Sequence, residues 1–281
     1  MRKKLFNLVL GTAQLDQNYS LSKKVLSIHS FNKILQLAKK NKNFFIDTAL
    51  GYKNSEKVLS KFNLNKFKII TKFNDKKNLV EKLLKSKKRL RIKKFYGVLF
   101  HDEEKLLKKK PKEFLNIVKS LKDNSITKKV GVSVYTLKNL SLIIKKFDLD
   151  FIQIPANVFD KRFLSKKLLK VLRKKKIEIF ARSIFLKGVL INKKFRNQKL
   201  ANFKTNFKIY DHWLGKENII NKKFFCIDFI LANKINNIVI GFDDFSEYKE
   251  ISKFKKESYV NPPNFVKNQS DKNRLLRPDL W

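Results

Sequence analysis

Apolar residues in this chain fall into short runs, and between the runs they recur at helical spacing. The runs cover residues 5–10, 44–47, 67–71, 95–100, 129–134, 150–154, 177–181 and 237–240. Predominantly apolar runs of this length fit strands buried on both faces better than half-exposed ones, which would alternate strictly. Helical spacing covers 30–40, 56–62, 79–90, 111–121, 137–147, 163–175, 219–233 and 245–254. In the first of these, Phe31, Ile34, Leu35 and Ala38 share one face. Pro111 falls in the first turn of its helix, where a missing N–H does no harm. Residues 190–218 read as irregular, and 257–281, with Pro262-Pro263 and Trp281, as an extended tail over the surface. Eight strands alternating with helices predict an α/β fold, a (β/α)8 TIM barrel, with 1–281 as a single domain. A doubly wound open sheet is the competing arrangement. No repeat and no low-complexity linker divides the chain.

Composition changes the picture little. The 281 residues, 43% of them hydrophobic, are enough for one large core. Lys and Arg number 66 against 24 Asp and Glu, a formal charge of +42. Such an excess ordinarily points to nucleic acid or an anionic membrane. Here the lysines are dispersed along the whole chain, and Lys, Asn, Phe and Ile share A/T-rich codons. Biased codon usage is the simpler cause, and no specific nucleic-acid partner is expected. The single Cys226 excludes an intrachain disulfide, sits in an apolar run and reads as core, and no Cys/His cluster calls for a metal. No apolar run is long enough to span a membrane, so no membrane partner is expected. The start, Met1-Arg2-Lys3-Lys4 before an apolar stretch, mimics a signal peptide, but the stretch is short and broken by Asn7. A first strand fits it better, and the expected location is cytoplasmic.

Candidate chemistry lies where the strands end. Asp47 closes the second run, and Tyr52 follows five residues later, past Gly51. Lys72 stands at the end of the third run and His101 at the end of the fourth. In a barrel these exits converge on one mouth. A Tyr hydroxyl with a pKa near 10 is a weak acid at neutral pH, and a nearby ammonium strengthens it by stabilising phenolate. Asp can hold the Lys, and His can hydrogen-bond a substrate oxygen. The set suits proton donation to a carbonyl oxygen while a cofactor delivers hydride. Each residue alone has a plainer reading: an N-capped helix, one lysine among many, a histidine capping a turn, with Asp102 beside it a helix cap. Four such coincidences at consecutive exits are far rarer than one.

On these residues the chain resembles the aldo/keto reductase family over nearly its whole length. Gly11-Thr12-Ala13-Gln14 looks like the family's opening strand. Asp47-Thr48-Ala49 with Tyr52 and Ser55-Glu56 looks like its Asp-Thr-Ala, Tyr and Ser-Glu signature. Thr71-Lys72, His101, Gly131-Val132-Ser133 and Gln153 look like its third to sixth strands. The run Arg182-Ser183-Ile184-Phe185-Leu186-Lys187-Gly188-Val189-Leu190 resembles a branch associated with bacterial saccharide biosynthesis. The resemblance implies an NAD(P)H-dependent reductase of a small-molecule aldehyde or ketone, a sugar-like carbonyl by the last run. In it Tyr52 would be the general acid, tuned by Lys72 and Asp47, and His101 would orient the carbonyl. Ser133 and Gln153 would hold the carboxamide, and Arg182 and Ser183 would lie along the nicotinamide and pyrophosphate. Gly11, Thr12 and Asp47 would line the same nucleotide, and the loop from Gly241 would reach its adenosine end. The implied cofactor is NADP(H), with NAD(H) open.

The chain departs from the family's pattern in three places. Val134 follows Ser133 where many members have Asn. Phe242-Asp243-Asp244 follows Gly241 where NADPH-preferring members place Lys, Ser or Arg, and carboxylates would repel a 2′-phosphate. Residues Asp16-Gln17-Asn18-Tyr19-Ser20 lack the glycines of similar sequences. The competing function is a catalytically silent nucleotide-binding regulator of the same fold, because fold alone proves no activity.

Overall fold

The computed structural model describes residues 5–15, 21–22, 24–52, 54–74, 77–256 and 260–281. Eight parallel strands close into a barrel: β1 (Asn7–Gly11), β2 (Phe45–Asp47), β3 (Lys68–Phe73), β4 (Gly97–Phe100), β5 (Val130–Ser133), β6 (Phe151–Pro155), β7 (Glu178–Arg182) and β8 (Asn237–Gly241). β8 pairs with β1 from Asn237 opposite Asn7 to Gly241 opposite Gly11, so no open edge remains and the doubly wound sheet is excluded. The helices are α1 (Ile28–Lys40), α2 (Ser55–Leu59), α3 (Leu79–Arg89), α4 (Glu103–Leu107), α5 (Pro111–Asp123), α6 (Leu137–Lys146), α7 (Lys166–Lys174), α8 (Lys204–Lys216), α9 (Lys222–Ala232) and α10 (Phe245–Ser252). All eight predicted strands and eight predicted helices are present, with ends shifted by up to three residues.

Side-chain caps set several helix starts. Ser27, Thr136, Ser165, Asn221 and Asp244 accept backbone N–H bonds at the N-termini of α1, α6, α7, α9 and α10. Two helices lie outside the sequence reading. α4 is a single turn after β4, capped by Asp102, which accepts from the N–H groups of Glu104 and Lys105. α8 falls in the stretch read as irregular. Its buried residues Phe207, Tyr210 and Leu214 do keep helical spacing, but the exposed Ile209 blurs the pattern. Residues 260–281, read as extended, carry two 3-10 turns and bury Phe265, Leu275 and Leu276. Arg162 anchors this segment, donating to Asp160, to Asp271 at 2.7 Å and to the Leu276 carbonyl at 3.0 Å.

Inside the barrel a separate cluster of Val9, Phe45, Ile70, Leu99, Phe151 and Phe180 fills the lower half. Phe151 is accommodated by the two glycines within strands. A Cβ on Gly97 would lie 2.4 Å from the Phe151 ring, and one on Gly131 would lie 2.0 Å from the Phe151 carbonyl oxygen. The second clash is with backbone and cannot be relieved by a rotamer. Gly131→Ala is therefore expected to destabilise the fold by about 1–3 kcal/mol or more. Gly51→Ala, where only Asn74 Nδ2 lies within reach at 3.9 Å, is expected to be nearly neutral. Denaturant unfolding of the pair checks this, and an unchanged midpoint for Gly131→Ala would contradict the packing. With the lower half filled, the cleft lies above it, where the strands end.

Candidate active site

Asp47 is the last residue of β2 and is buried. Its Oδ2 accepts from Lys72 Nζ at 2.6 Å, and its Oδ1 accepts from Gln153 Nε2 at 2.9 Å. Lys72 also donates to the Thr48 carbonyl at 3.1 Å and is only 2% exposed. Lys72 does not end its strand, as the sequence had placed it. β3 runs on through Phe73 because Lys72 and Phe73 pair with Leu99 and Phe100 of β4. Alternation along β3 then turns the lysine inward, toward Asp47. A charge buried this deeply survives only with partners, and the carboxylate and the carbonyl supply them.

Tyr52 turns back over this pair, its N–H bonded to the Ala49 carbonyl at 3.0 Å. Its ring centroid lies 5.4 Å from Lys72 Nζ and 6.2 Å from the His101 ring, edge to face. His101 is the first residue after β4 and donates its N–H to the Phe73 carbonyl. Burial pushes the His101 imidazole down to about 3, helped by the positive charges of Lys72 and Arg182, with Asp102 opposing. The ring is neutral at physiological pH. A ring NMR titration is expected to show no protonation of His101 in the folded protein between pH 8 and about 5. The sign for stability follows. The folded pKa lies below the unfolded value, so the unfolded state binds the extra proton first. Stability is full above pH ~6.5 and falls as pH drops from there toward 3. A His101→Gln variant should lose less stability over that window.

The strand ends above the cluster form an open cleft. Gly11, Thr12, Asp47, Tyr52, Gln153, Arg182, Ser183 and Gly241 are on its wall. Lys72, His101 and Ser133 lie immediately beside that wall, Lys72 and His101 against the Tyr52 ring and Ser133 paired with Gln153. Thr12 is engaged structurally: its N–H and hydroxyl both donate to the Asp47 carbonyl at 3.0 Å. Ser55 and Glu56 also hold the scaffold, Ser55 on the Thr12 carbonyl at 2.8 Å and Glu56 on Ser86 and Arg89 of α3. Gly11 and Gly241 face one another across β1 and β8, and a Cβ on Gly241 would push into the Gln14 amide.

Arg182 donates to the Val134 carbonyl at 2.9 Å and stacks 4.2 Å from the Tyr135 ring centroid. Tyr135 is itself held by Arg162, which donates to its carbonyl at 3.2 Å. After Arg182 the backbone is unusual. Ser183, Leu186 and Lys187 have φ of 58°, 49° and 52°, and Gly188 has 91°. Left-handed backbone at Ser183, Leu186 and Lys187 costs free energy that the surrounding packing has to offset. Ser133 Oγ and Arg182 Nε are buried without a hydrogen-bond partner among the described residues. Unpartnered polar atoms beside a glycine-lined cleft fit a site for a polar ligand.

The sequence reading missed other parts of the wall: Phe185, Ile191 and Phe195 on one side, and Lys223, Glu247 and Ile251 on the other. Phe195 sits in the stretch read as irregular, and Lys223 and Glu247 face inward from α9 and α10, whose lysines and glutamates carry no local mark. Residues 16–20, the loop without glycines, lie outside the described residues, as does Lys53.

With this geometry in place, comparison with known proteins gives the class. The Aldo/keto reductase family model matches residues 7–253. The chain belongs to the aldo/keto reductase family, oxidoreductase enzymes that generally use nicotinamide cofactors. Similar solved structures include an aldo-keto reductase from Bacillus halodurans in its holo form, with 14% identity, 95% of each chain covered and a TM-score of 0.71. A glycerol dehydrogenase from Gluconobacter oxydans has 16% identity over 90% of this chain and 88% of that one, TM-score 0.66. A thermostable aldo-keto reductase solved with the inhibitor epalrestat has 19% identity over 90% and 91%, TM-score 0.65. No curated protein sequence matches the chain. Among the described residues, no helix is long and apolar enough to cross a membrane.

Proposed function

We propose that this protein reduces an aldehyde or ketone to an alcohol at the Tyr52 end of the cleft, using a reduced nicotinamide dinucleotide. The observation that carries the reading is the buried Asp47–Lys72 pair, 2.6 Å apart, under the Tyr52 ring. When bound, the nucleotide supplies hydride to the carbonyl carbon. Tyr52 supplies the proton to the carbonyl oxygen. Lys72 favours the phenolate that Tyr52 leaves behind, which makes the hydroxyl a stronger acid. Asp47 holds Lys72 in place, and Gln153 holds Asp47. His101 stays neutral, so it can donate one N–H to the carbonyl oxygen without competing as the acid. Solvent returns the proton to Tyr52 once the alcohol leaves.

Ser133, Gln153, Arg182 and Ser183 are the polar groups positioned to hold the nicotinamide half, and Gly11 and Gly241 let the backbone approach the remainder. The run from Arg182 to Leu190 favours a sugar-like carbonyl. The test is whether purified protein oxidises reduced nucleotide when offered a panel of aldehydes, ketones and sugar carbonyls. Saturable nucleotide binding with no oxidation by any of them would replace the reductase with a silent nucleotide-binding regulator.

A further inference from the structure

Arginines in this fold are fixed in two different ways. Buried Arg162 is held by carboxylates: Asp160 takes its Nε and Nη2, and Asp271 takes its Nη1. Arg196 is held likewise by Asp211, at 2.6 and 3.0 Å. Arg182, on the cleft wall, is held without a carboxylate. Among the described residues its partners are the Val134 carbonyl at 2.9 Å, Ser183 Oγ at 3.4 Å and the Tyr135 ring, with the ring centroid 4.2 Å away. Nearby carboxylates are engaged elsewhere. Asp160, which feels the Arg182 charge, is taken by Arg162. Asp47 is taken by Lys72 and Gln153, and Glu247 accepts from the Asp243 N–H at the β8–α10 turn. Of the other cations on the wall, Lys223 is bound to Glu250 and Lys187 lies 5.8 Å from the Trp281 ring. Tyr135 is itself fixed from several elements. Its N–H donates to Glu103 Oε2 at 2.7 Å, its carbonyl accepts from Arg162 Nη1 at 3.2 Å, and Arg277 of the C-terminal segment lies 5.7 Å from its ring.

We propose that Tyr135 is a positioning residue whose ring fixes the Arg182 guanidinium at the cleft without neutralising it, leaving the cation for an anionic ligand. The physical reason lies in the kind of partner. A carboxylate would hold the guanidinium but would also cancel its charge and occupy its N–H groups. An aromatic ring takes only the flat face of the guanidinium and leaves the edge, where the N–H donors lie. Of those donors, one on Nη2 is used by Val134, and Nε has no partner among the described residues. The ligand rests on the reductase reading: a nicotinamide dinucleotide carries negative charge on its pyrophosphate. Arg182 is a long side chain that would otherwise sample several rotamers, so a fixed Tyr135 lowers the entropy lost when a ligand binds it.

The test is a double-mutant cycle on the intact protein, read by titration calorimetry with NADH and with NADPH. Tyr135→Leu is expected to weaken the tighter-bound nucleotide by about three- to tenfold, the range of a partly buried cation–π contact. Tyr135→Phe keeps the ring and should stay within about twofold of wild type. Arg182→Gln should also weaken binding. Adding Tyr135→Leu to it should then change nothing further, because a residue acting through the guanidinium has no effect once that group is gone. Arg182→Lys keeps the charge but not the planar fork, and should lose affinity as Tyr135→Leu does. Wild-type affinity in folded Tyr135→Leu, an equal loss in Tyr135→Phe, or losses that add in full in the double variant each overturn the proposal. Should Tyr135→Leu fail to fold, Arg182→Lys decides: wild-type affinity there overturns the stacked arrangement. Failure of the wild type to bind either nucleotide overturns the reductase reading and this proposal with it, so the two failures are told apart.

Discussion

Tyr52→Phe is expected to lower turnover by about 10²–10⁴-fold, the usual contribution of a positioned general acid, while leaving nucleotide affinity within about twofold of wild type. The substitution removes one oxygen and keeps the ring. That ring packs edge to face with His101 at 6.2 Å and lies 5.4 Å from Lys72 Nζ, so the local packing should survive. Saturating kinetics on whichever carbonyl is found active would separate the effects. A fall in kcat with unchanged KM for the nucleotide assigns the hydroxyl to the chemical step. Full turnover in the folded variant would remove Tyr52 as proton donor and leave His101 to be reconsidered, although its neutrality at physiological pH argues against that role.

The second large effect concerns Asp47 and Lys72, which are expected to be destabilising singly and much less so together. Lys72→Met leaves a carboxylate buried with only the Gln153 amide on it, and Asp47→Asn leaves an ammonium buried on an amide and a carbonyl. Breaking a buried pair from one side typically costs about 3–5 kcal/mol, whereas removing both charges is often close to neutral. The double variant should therefore recover most of the stability lost by either single one, a coupling read from denaturant unfolding. Activity should not recover. Without the ammonium, the phenolate that Tyr52 leaves behind loses the positive charge beside it and proton transfer slows. Recovery of activity along with stability in the double variant would mean that the pair serves the fold alone.

These two experiments test residues at different distances from the sequence. The order of strands and helices was legible from the chain because it depends on local pattern. Apolar runs such as 150–154 mark strands covered on both faces, and the spacing of Phe31, Ile34, Leu35 and Ala38 marks a helix buried on one side. Eight repeats of that alternation then leave few topologies. α8 escaped because a helix is recognised by one dominant stripe. There Ile209 is exposed while Phe207, Tyr210 and Leu214 are buried. The turns of residues 260–281 escaped for another reason. Their shape is imposed from outside, by Arg162 gripping Asp271 and the Leu276 carbonyl over a hundred positions away.

The candidate site divides the same way. Asp47, Tyr52, Lys72 and His101 could be named from the chain because each sits at or near the end of a run, where a barrel gathers its loops. What each one does there depended on the closed sheet. Only the register of β3 on β4 turns Lys72 inward to Asp47, and only the pairing of β5 with β6 sets Gln153 beside Ser133 and within reach of that same carboxylate. The acidic turn after β8 shows the division most sharply. Three adjacent residues, Phe242-Asp243-Asp244, were visible in the chain, but whether their charges meet a ligand was not. That depends on α10 taking Asp244 as its cap and leaving Asp243 on the cleft with Glu247, which no local pattern marks. The sequence by itself determined the alternation of elements and the residue types at the strand ends, because those are set by neighbours along the chain. The direction in which each charged side chain points was decided by tertiary structure alone, because a buried charge goes where its partners are, and those partners come from other strands.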